Sequence, residues 1–492
     1  MIFDNVSAPF TIGNDIYGGL AIDSARYFYL NRSGIELLPE YAGEDYARLA
    51  GHVTDNNVTC YRGTDAAGTT WDGCDYTLNS AGGWYDAGDY GKYVVNGGIS
   101  AWTLLNLYER LPEAYPDGSL NIPESGNGVS DILDEARWEM EWLLSMQVPE
   151  GHPQAGMVHH KLHDLHWEGM PFLPPTEFNN NNDFADGNGR YVYPPSTAAT
   201  YNLAATAAQC ARIWRGIDDA FADRCLTAAT TAFQAGQDNP IALAGNTPGE
   251  GGGNYDDGNI SDELFWAAAE LYITTGDEQY LDAMRSTPYL ETFNRDMYWG
   301  GTAPLGTLSL ILHDVDIPEM ENLEAQVIAA ADDYLATISA EGYRVPITEY
   351  VWGSNSSVLN NAIVLAYAYD MTGDVAYLHG VTDSMDYLLG RNALAFSFVS
   401  GYGERAMTNP HHRFWGNEPD NGYPAPPPGV VAGGPNGQPS DPTALEEAQL
   451  DAGPARRYVD LRGSWSTNEV TINWNSPLVW VSAYLNDAYN GQ

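Results

Sequence analysis

Lysine is nearly missing from this chain: Lys92 and Lys161 are the only two in 492 residues. With arginine they make 21 basic residues against 66 acidic ones, a net charge of −45. Such a surface repels phosphate backbones and anionic lipid, which speaks against nucleic acid or a membrane as partner. It would serve solubility alone, or life in concentrated salt, where screening removes the self-repulsion. No uncharged apolar run reaches the roughly 18 residues of a membrane span. The opening Met1-Ile2-Phe3-Asp4 lacks the basic-then-apolar pattern of a secretory leader, so an exported form would have had that segment removed. Cysteine is scarce, with four residues and no C-x-x-C pair to suggest a zinc site. Cys60 and Cys74 flank a short polar loop, and Cys210 and Cys225 flank a helix–turn–helix. Two local disulfides would fit an exported protein; four buried thiols are the alternative. Internal repeats and heptads are absent. Motifs for metal-assisted, Ser-His-Asp and phosphate-cradling chemistry are absent as well.

What is present is a hydrophobic fraction of 44%, ordinary for a globular chain, and helical periodicity over most of its length. The spacing predicts helices over Tyr17–Tyr29, Tyr93–Leu111, Ser130–Met146, Thr197–Trp214, Asp218–Ala235, Asp262–Thr275, Glu278–Met284, Leu323–Ile338, Val358–Met371, Val375–Leu389 and Pro477–Tyr489, with a twelfth near Glu291–Met297. Several are small and apolar nearly all round, as in Ala198-Ala199-Thr200-Tyr201-Asn202-Leu203-Ala204-Ala205. Such helices must be covered on both sides. Two concentric rings of six, an all-α (α/α)6 barrel, would cover them within one domain spanning 1–492. Long loops rich in Gly, Pro, Asn and aromatics separate the helices at 51–90, 170–195, 239–261, 298–304 and 417–454. Loops of that length in a compact domain carry function or are disordered, and the Trp and Tyr in these argue for function.

Three stretches carry chemistry. In Gly82-Gly83-Trp84-Tyr85-Asp86-Ala87-Gly88-Asp89-Tyr90-Gly91-Lys92-Tyr93, two aspartates three apart sit in a glycine-punctuated turn before a helix. Both carboxylates can converge on one water, and the helix start should keep a general base ionised. In Tyr458–Ser476, Glu469 lies between aromatic and apolar residues, surroundings that raise a carboxyl pKa and suit a general acid. Asn409-Pro410-His411-His412-Arg413 offers donors for sugar hydroxyls. A base and an acid, far apart in sequence and surrounded by the 14 Trp and 32 Tyr of this chain, are the equipment of a glycosidase.

These motifs resemble glycoside hydrolase family nine. Gly83–Tyr93 resembles the family's catalytic-base segment. Ser397–Arg413, with Gly403, Arg405, Pro410, His411 and Arg413, resembles its histidine signature. Tyr458–Ser476, with Asp460, Trp465, Glu469, Thr471 and Asn475, resembles its acidic signature. With Asp131–Gln147 and Tyr350–Asn355 the likeness spans nearly the whole chain. It implies inverting hydrolysis of β-1,4-glucan by an endo-acting cellulase; an exo-acting cellobiohydrolase, exoglucosidase or glucosaminidase is the alternative, and a non-catalytic sugar-binding barrel a remote one. Asp89 would be the general base, Asp86 would hold the same water, and Glu469 would be the acid. His411 and Arg413 would bind the sugar beside the cut, and Asp460 would support the His–Arg cluster or Glu469. Trp352, His160, Asp262, Trp266, Trp474 and Tyr85 would line the cleft. Tyr85 stands where many relatives have a histidine that, in a subset, joins cysteines around zinc; this disfavours zinc and favours a Cys60–Cys74 disulfide. No cofactor is expected for catalysis, although structural calcium occurs in the family. The resemblance further implies a secreted monomer, with residues 1–12 as a remnant and no immunoglobulin-like or carbohydrate-binding module.

Overall fold

The computed structural model describes residues 13, 15–65, 68–176, 189–245, 247, 251–418 and 421–490. The expected remnant 1–12 and the stretch 177–188 of the expected 170–195 loop lie outside the described residues. Among the described residues, twelve helices of eight residues or more alternate between two rings. The outer ring comprises α1 (Gly18–Leu30), α3 (Asp131–Ser145), α5 (Asp219–Asp238), α7 (Glu278–Arg285), α9 (Met320–Ala340) and α11 (Val375–Leu388). The inner ring comprises α2 (Val94–Arg110), α4 (Thr197–Trp214), α6 (Ser261–Thr275), α8 (Ala303–Leu312), α10 (Ser354–Thr372) and α12 (Ile472–Asn490). Around that ring α2 packs on α4, α4 on α6, α6 on α8, α10 on α12 and α12 on α2. This is the (α/α)6 barrel.

Sequence decides the ring. In α9 the buried positions are Met320, Leu323, Val327, Ala330, Ala331, Tyr334 and Ile338, one apolar stripe with polar residues opposite. In α4 every residue except Arg212 and Ile213 is buried, because small side chains all round let the helix be enclosed. The twelfth helix is α8, not Glu291–Met297, which forms turns and extended chain. Ala303-Pro304-Leu305-Gly306-Thr307-Leu308 is apolar on every side and holds Pro and Gly, so it shows no helical stripe. Pro304 sits in the first turn, where its missing N–H costs nothing. A Cβ on Gly306 would stand 3.1 Å from the Phe265 ring and the Trp266 Cα, so glycine permits the close approach of α8 to α6.

Connections from inner to outer helices are short except for 111–130, whereas the connections 31–93, 146–196, 239–260, 286–302, 341–353 and 389–471 lead from an outer helix to the start of an inner one. They therefore gather at the N-terminal ends of the inner ring. There Lys92–Tyr93, Lys161–Asp164 and Arg190–Val192 pair into a small antiparallel sheet, with Lys92 opposite Leu162 and Leu162 opposite Val192. No helix among the described residues is long and apolar enough to cross a membrane. Cys60 and Cys74 form a disulfide with a Cα–Cα distance of 5.3 Å. Cys210 and Cys225 correct the expected second disulfide: they are buried thiols on packed helices α4 and α5, with sulfurs 2.9 Å apart and sharing an S–H···S contact.

Candidate active site

Asp86 is fully buried in the turn before α2, at the meeting point of three inner-helix starts. Its carboxylate accepts from Asn96 Nδ2 of α2 (2.9 Å to each oxygen), from Tyr255 Oη before α6 (3.0 Å) and from Thr471 Oγ1 before α12 (3.2 Å). Burial, then the neighbouring Asp89, nevertheless pushes its pKa up to about 7. Asp89 lies half-buried beside it, taking the Gly91 N–H at 2.8 Å and the Tyr93 hydroxyl at 3.3 Å. Burial raises its pKa too, against Arg413, the Gly91 amide and the Tyr93 hydroxyl, which favour the ionised form. Desolvation thus works against the helix start that was expected to keep a general base here ionised.

Glu469 enters from the far end of the chain. It leaves the short helical turn Trp465–Asn468 in extended conformation and pairs with His411 in a parallel bridge. Its Oε1 lies 3.4 Å from the Gly88 nitrogen. Burial, then Asp89 and Asp86, raises its pKa well above the ordinary glutamate value. The cluster therefore holds one carboxyl biased toward its proton and one whose neighbours favour the anion, the division of labour of an acid and a base. Gly88 makes this approach feasible: a Cβ there would stand 2.5 Å from the His411 carbonyl oxygen and 3.2 Å from Glu469 Oε1.

His411 Nδ1 lies 2.7 Å from the Arg462 carbonyl and donates to it, which leaves Nε2 as an acceptor. Burial lowers its pKa to about 4, so the ring is neutral. Arg413 is buried and braces two backbone carbonyls. Its Nη1 donates to the Gly88 carbonyl at 2.8 Å and its Nη2 to the Glu168 carbonyl at 3.1 Å. Asp460 gathers the backbone N–H groups of Thr408 (3.0 Å) and Asn409 (2.9 Å) and the Asn468 amide (3.3 Å), joining the histidine loop to the turn that presents Glu469. Behind it, fully buried Asp441 accepts from Ser466 N at 2.9 Å and from Ser464 Oγ at 3.2 Å.

From Glu469 a cleft of about 990 Å³ runs past Tyr255, Trp299, Tyr298, Trp474 and Trp352. Trp352 is 48% exposed and offers an open ring face. Four expected cleft residues are placed elsewhere. Trp266 is 0% exposed in the barrel core and points its indole N–H at Glu270. His160 is fully buried between Ser196 Oγ and the Asn254 carbonyl. Asp262 is buried and accepts from Thr302 N at 2.9 Å. Tyr85 is buried, with its hydroxyl 2.8 Å from His52 Nδ1. Their residue types suit sugar binding, but their side chains are buried within the fold. Sequence reasoning missed Asn96, Tyr255, Tyr298 and Trp299. The aromatic, glycine-flanked loop 298–304 held the signal for the last two.

Two groups bear on metals. Asp257, Asp262 and Glu263 are neighbours at the start of α6, where the Glu263 carboxyl hydrogen-bonds with the carboxylates of Asp262 and Asp257. Burial, then the neighbouring carboxylates, raises Glu263 well above its ordinary value. All-oxygen ligands of this kind fit calcium. A zinc site of histidine and cysteines does not fit, since Tyr85 carries a phenol and Cys60 is bonded to Cys74. His52, Asp164 and Glu168 form a second, mixed group.

A family profile described as glycosyl hydrolase family 9 matches residues 17–482. A cellulose 1,4-beta-cellobiosidase of Acetivibrio thermocellus is 44% identical across 98% of this chain and 58% of its own length. Endoglucanase C of Cellulomonas fimi is 45% identical across 98% of this chain and 44% of its own. The chain thus spans about half the length of these curated relatives. Among solved structures, the endoglucanase J30 superposes with a TM-score of 0.86 at 32% identity, covering 99% of this chain and 87% of that one.

Proposed function

The chain belongs to glycosyl hydrolase family 9, and from that membership we propose that it hydrolyses β-1,4-glucosidic bonds of cellulose or a related β-glucan, cutting within the polymer and inverting the anomeric carbon. The observation that carries this is the placing of Glu469 and Asp89 about Gly88 at the end of an aromatic cleft, Glu469 raised well above its ordinary value and Asp89 raised against partners that favour its anion. A glucan lies along Trp352, Trp474 and Trp299, stacking its apolar ring faces. Glu469 protonates the departing glycosidic oxygen. Asp89 takes a proton from a water that Asp86 helps to orient, and that water attacks the anomeric carbon from the opposite face. The neutral His411 presents Nε2 to a sugar hydroxyl.

The test is product analysis on carboxymethylcellulose and cello-oligosaccharides, with the anomer followed by proton NMR. A rapid fall in viscosity with few reducing ends, and α-anomers first, is expected. A β product would overturn the inverting assignment. Steady release of cellobiose with little loss of viscosity would instead support exo action, a reading favoured by the 44% identity to a cellobiosidase. Further parts of the same proposal are a secreted monomer, in keeping with the Cys60–Cys74 disulfide and a polymeric substrate, and calcium held by Asp257, Asp262 and Glu263. Calcium there would neutralise buried carboxylates and fix the start of α6.

A further inference from the structure

Both lysines of the chain are buried in the small antiparallel sheet, and their surroundings differ. Lys92 Nζ is matched: it stands 3.0 Å from Asp55 Oδ2 and donates to the Ser80 and Gly82 carbonyls. Lys161, 1% exposed, has no carboxylate at ion-pair distance among the described residues. Its Nζ donates to the Gly253 carbonyl at 2.5 Å and lies 5.1 Å and 6.0 Å from the ring centres of Tyr193 and Tyr93. Burying an ammonium with a single hydrogen bond is costly, and such groups collect at functional sites.

The register of the sheet shows what Lys161 serves. Tyr93 and Lys161 are direct partners in the antiparallel pairing, so their side chains share one face. Gly251-Gly252-Gly253 is pressed against the same strands: a Cβ on Gly251 would stand 2.0 Å from the Asp164 carbonyl oxygen, and one on Gly252 2.5 Å from the Tyr93 hydroxyl. Both polar groups of Gly253 are taken. Its carbonyl accepts from Lys161, and its N–H donates to Tyr93 Oη at 3.0 Å. Because Oη accepts there, its own proton is free to go to Asp89 Oδ2, 3.3 Å away. Two residues on, Tyr255 sits at φ 49°, in the left-handed region that a bulky side chain seldom adopts, and donates to Asp86 Oδ2 at 3.0 Å. Strain of this kind persists only where the surroundings hold it, and Lys161 is the charged anchor of the segment. We propose that Lys161 is a positioning residue for the general base Asp89, acting through Gly253 and the Tyr93 hydroxyl; this rests on the role given to Asp89 above.

The electrostatics agree with the geometry. Burial lowers the Lys161 pKa to about 7, and Asp89 works the other way by favouring the charged ammonium. Asp89 faces the carboxyls of Asp86 and Glu469 and the cations Arg413, Arg190 and Lys161. His160 and His163 lie beside Lys161; burial, then the lysine, lowers the pKa of both, so neither adds charge. Removing Lys161 therefore subtracts one cation from the set that favours ionised Asp89 and loosens the hold of Gly253 on Tyr93.

The experiment uses the full chain and a soluble cello-oligosaccharide. Lys161→Met keeps the length of the stem and removes the donor. The acid limb of kcat/KM should move to higher pH, and kcat should fall by about 10-fold with KM nearly unchanged, since no sugar contact is touched. In a Tyr93→Phe background the same substitution should move the limb less than half as far, because the relay is already cut. An unmoved limb in Lys161→Met overturns the proposal, and an equal shift in both backgrounds overturns the path through Tyr93. Asp89→Ala, assayed alongside, keeps two readings apart. Near wild-type turnover there sinks the base assignment itself, whereas an inactive Asp89→Ala beside an unmoved Lys161→Met sinks the positioning role alone. If Lys161→Met does not fold, NMR of protein labelled at lysine Cε decides. One of the two lysine signals should titrate at lower pH in Asp89→Asn than in wild type, and two unmoved signals overturn the proposal.

Discussion

At the scale of single residues, burial governs the site more than sequence neighbours do. Glu469→Gln keeps the shape and removes the proton. Hydrolysis of unactivated glucan should fall by about 10³-fold, with a much smaller loss on substrates whose leaving group needs no proton, and oligosaccharide binding should persist. Calorimetric binding beside rates on both substrate classes checks this; near-normal rates on cellulose would remove Glu469 from the acid role. The pH profile follows from the same carboxyls. On the proposed roles activity requires Asp89 ionised and Glu469 protonated, so it should fall at low pH as Asp89 takes up a proton and at high pH as Glu469 loses one. Both pKa values are raised, so the working window sits above the ordinary carboxylate range. Tyr93→Phe removes a donor that favours ionised Asp89, and the acid limb of kcat/KM should move to higher pH. An unmoved acid limb would show that Tyr93 does not tune the base.

At the scale of elements, the catalytic turn works because it lacks side chains where other segments cross it. Gly88→Ala would place a methyl against the His411 backbone and Glu469. The His411–Glu469 bridge must then shift, and misplacement by about 1 Å costs on the order of 10²-fold in rate. Kinetics and a melting curve together check this: kcat/KM should fall at least that far while the melting temperature changes little, since the barrel core is untouched. Unchanged kinetics would mean that the two loops are loosely held. The helices show what sequence pattern can and cannot reveal. One-sided helices such as α9 announce themselves by spacing. α8, enclosed on every side, has no stripe to read, and its Pro304 and Gly306 pass for loop residues until α6 is seen beside it.

At the scale of the whole molecule, −45 charges on one chain repel each other in dilute buffer. The melting temperature should rise from low to molar sodium chloride as screening shortens the range of that repulsion. A flat or falling curve would leave solubility as the sole use of the charge. The two rings and the loop-bearing face follow from all-round apolar helices alternating with striped ones and from where the long loops fall, and both were written in the sequence. The sequence also singled out Asp86, Asp89 and Glu469, which the fold brings together, because a glycine-punctuated turn with two aspartates and a glutamate among aromatics stand out by residue type. The sequence did not decide which way a given side chain faces. Trp266, His160, Asp262 and Tyr85 have the chemistry of a cleft but point inward, whereas Trp299 and Tyr298 point out. Nor did it show that Arg413 braces Gly88, that Cys210 and Cys225 stay thiols, or that His52 meets Asp164 and Glu168. Each of these depends on segments tens to hundreds of residues apart arriving within a few ångströms of one another, a distance set by helix packing rather than by any local pattern.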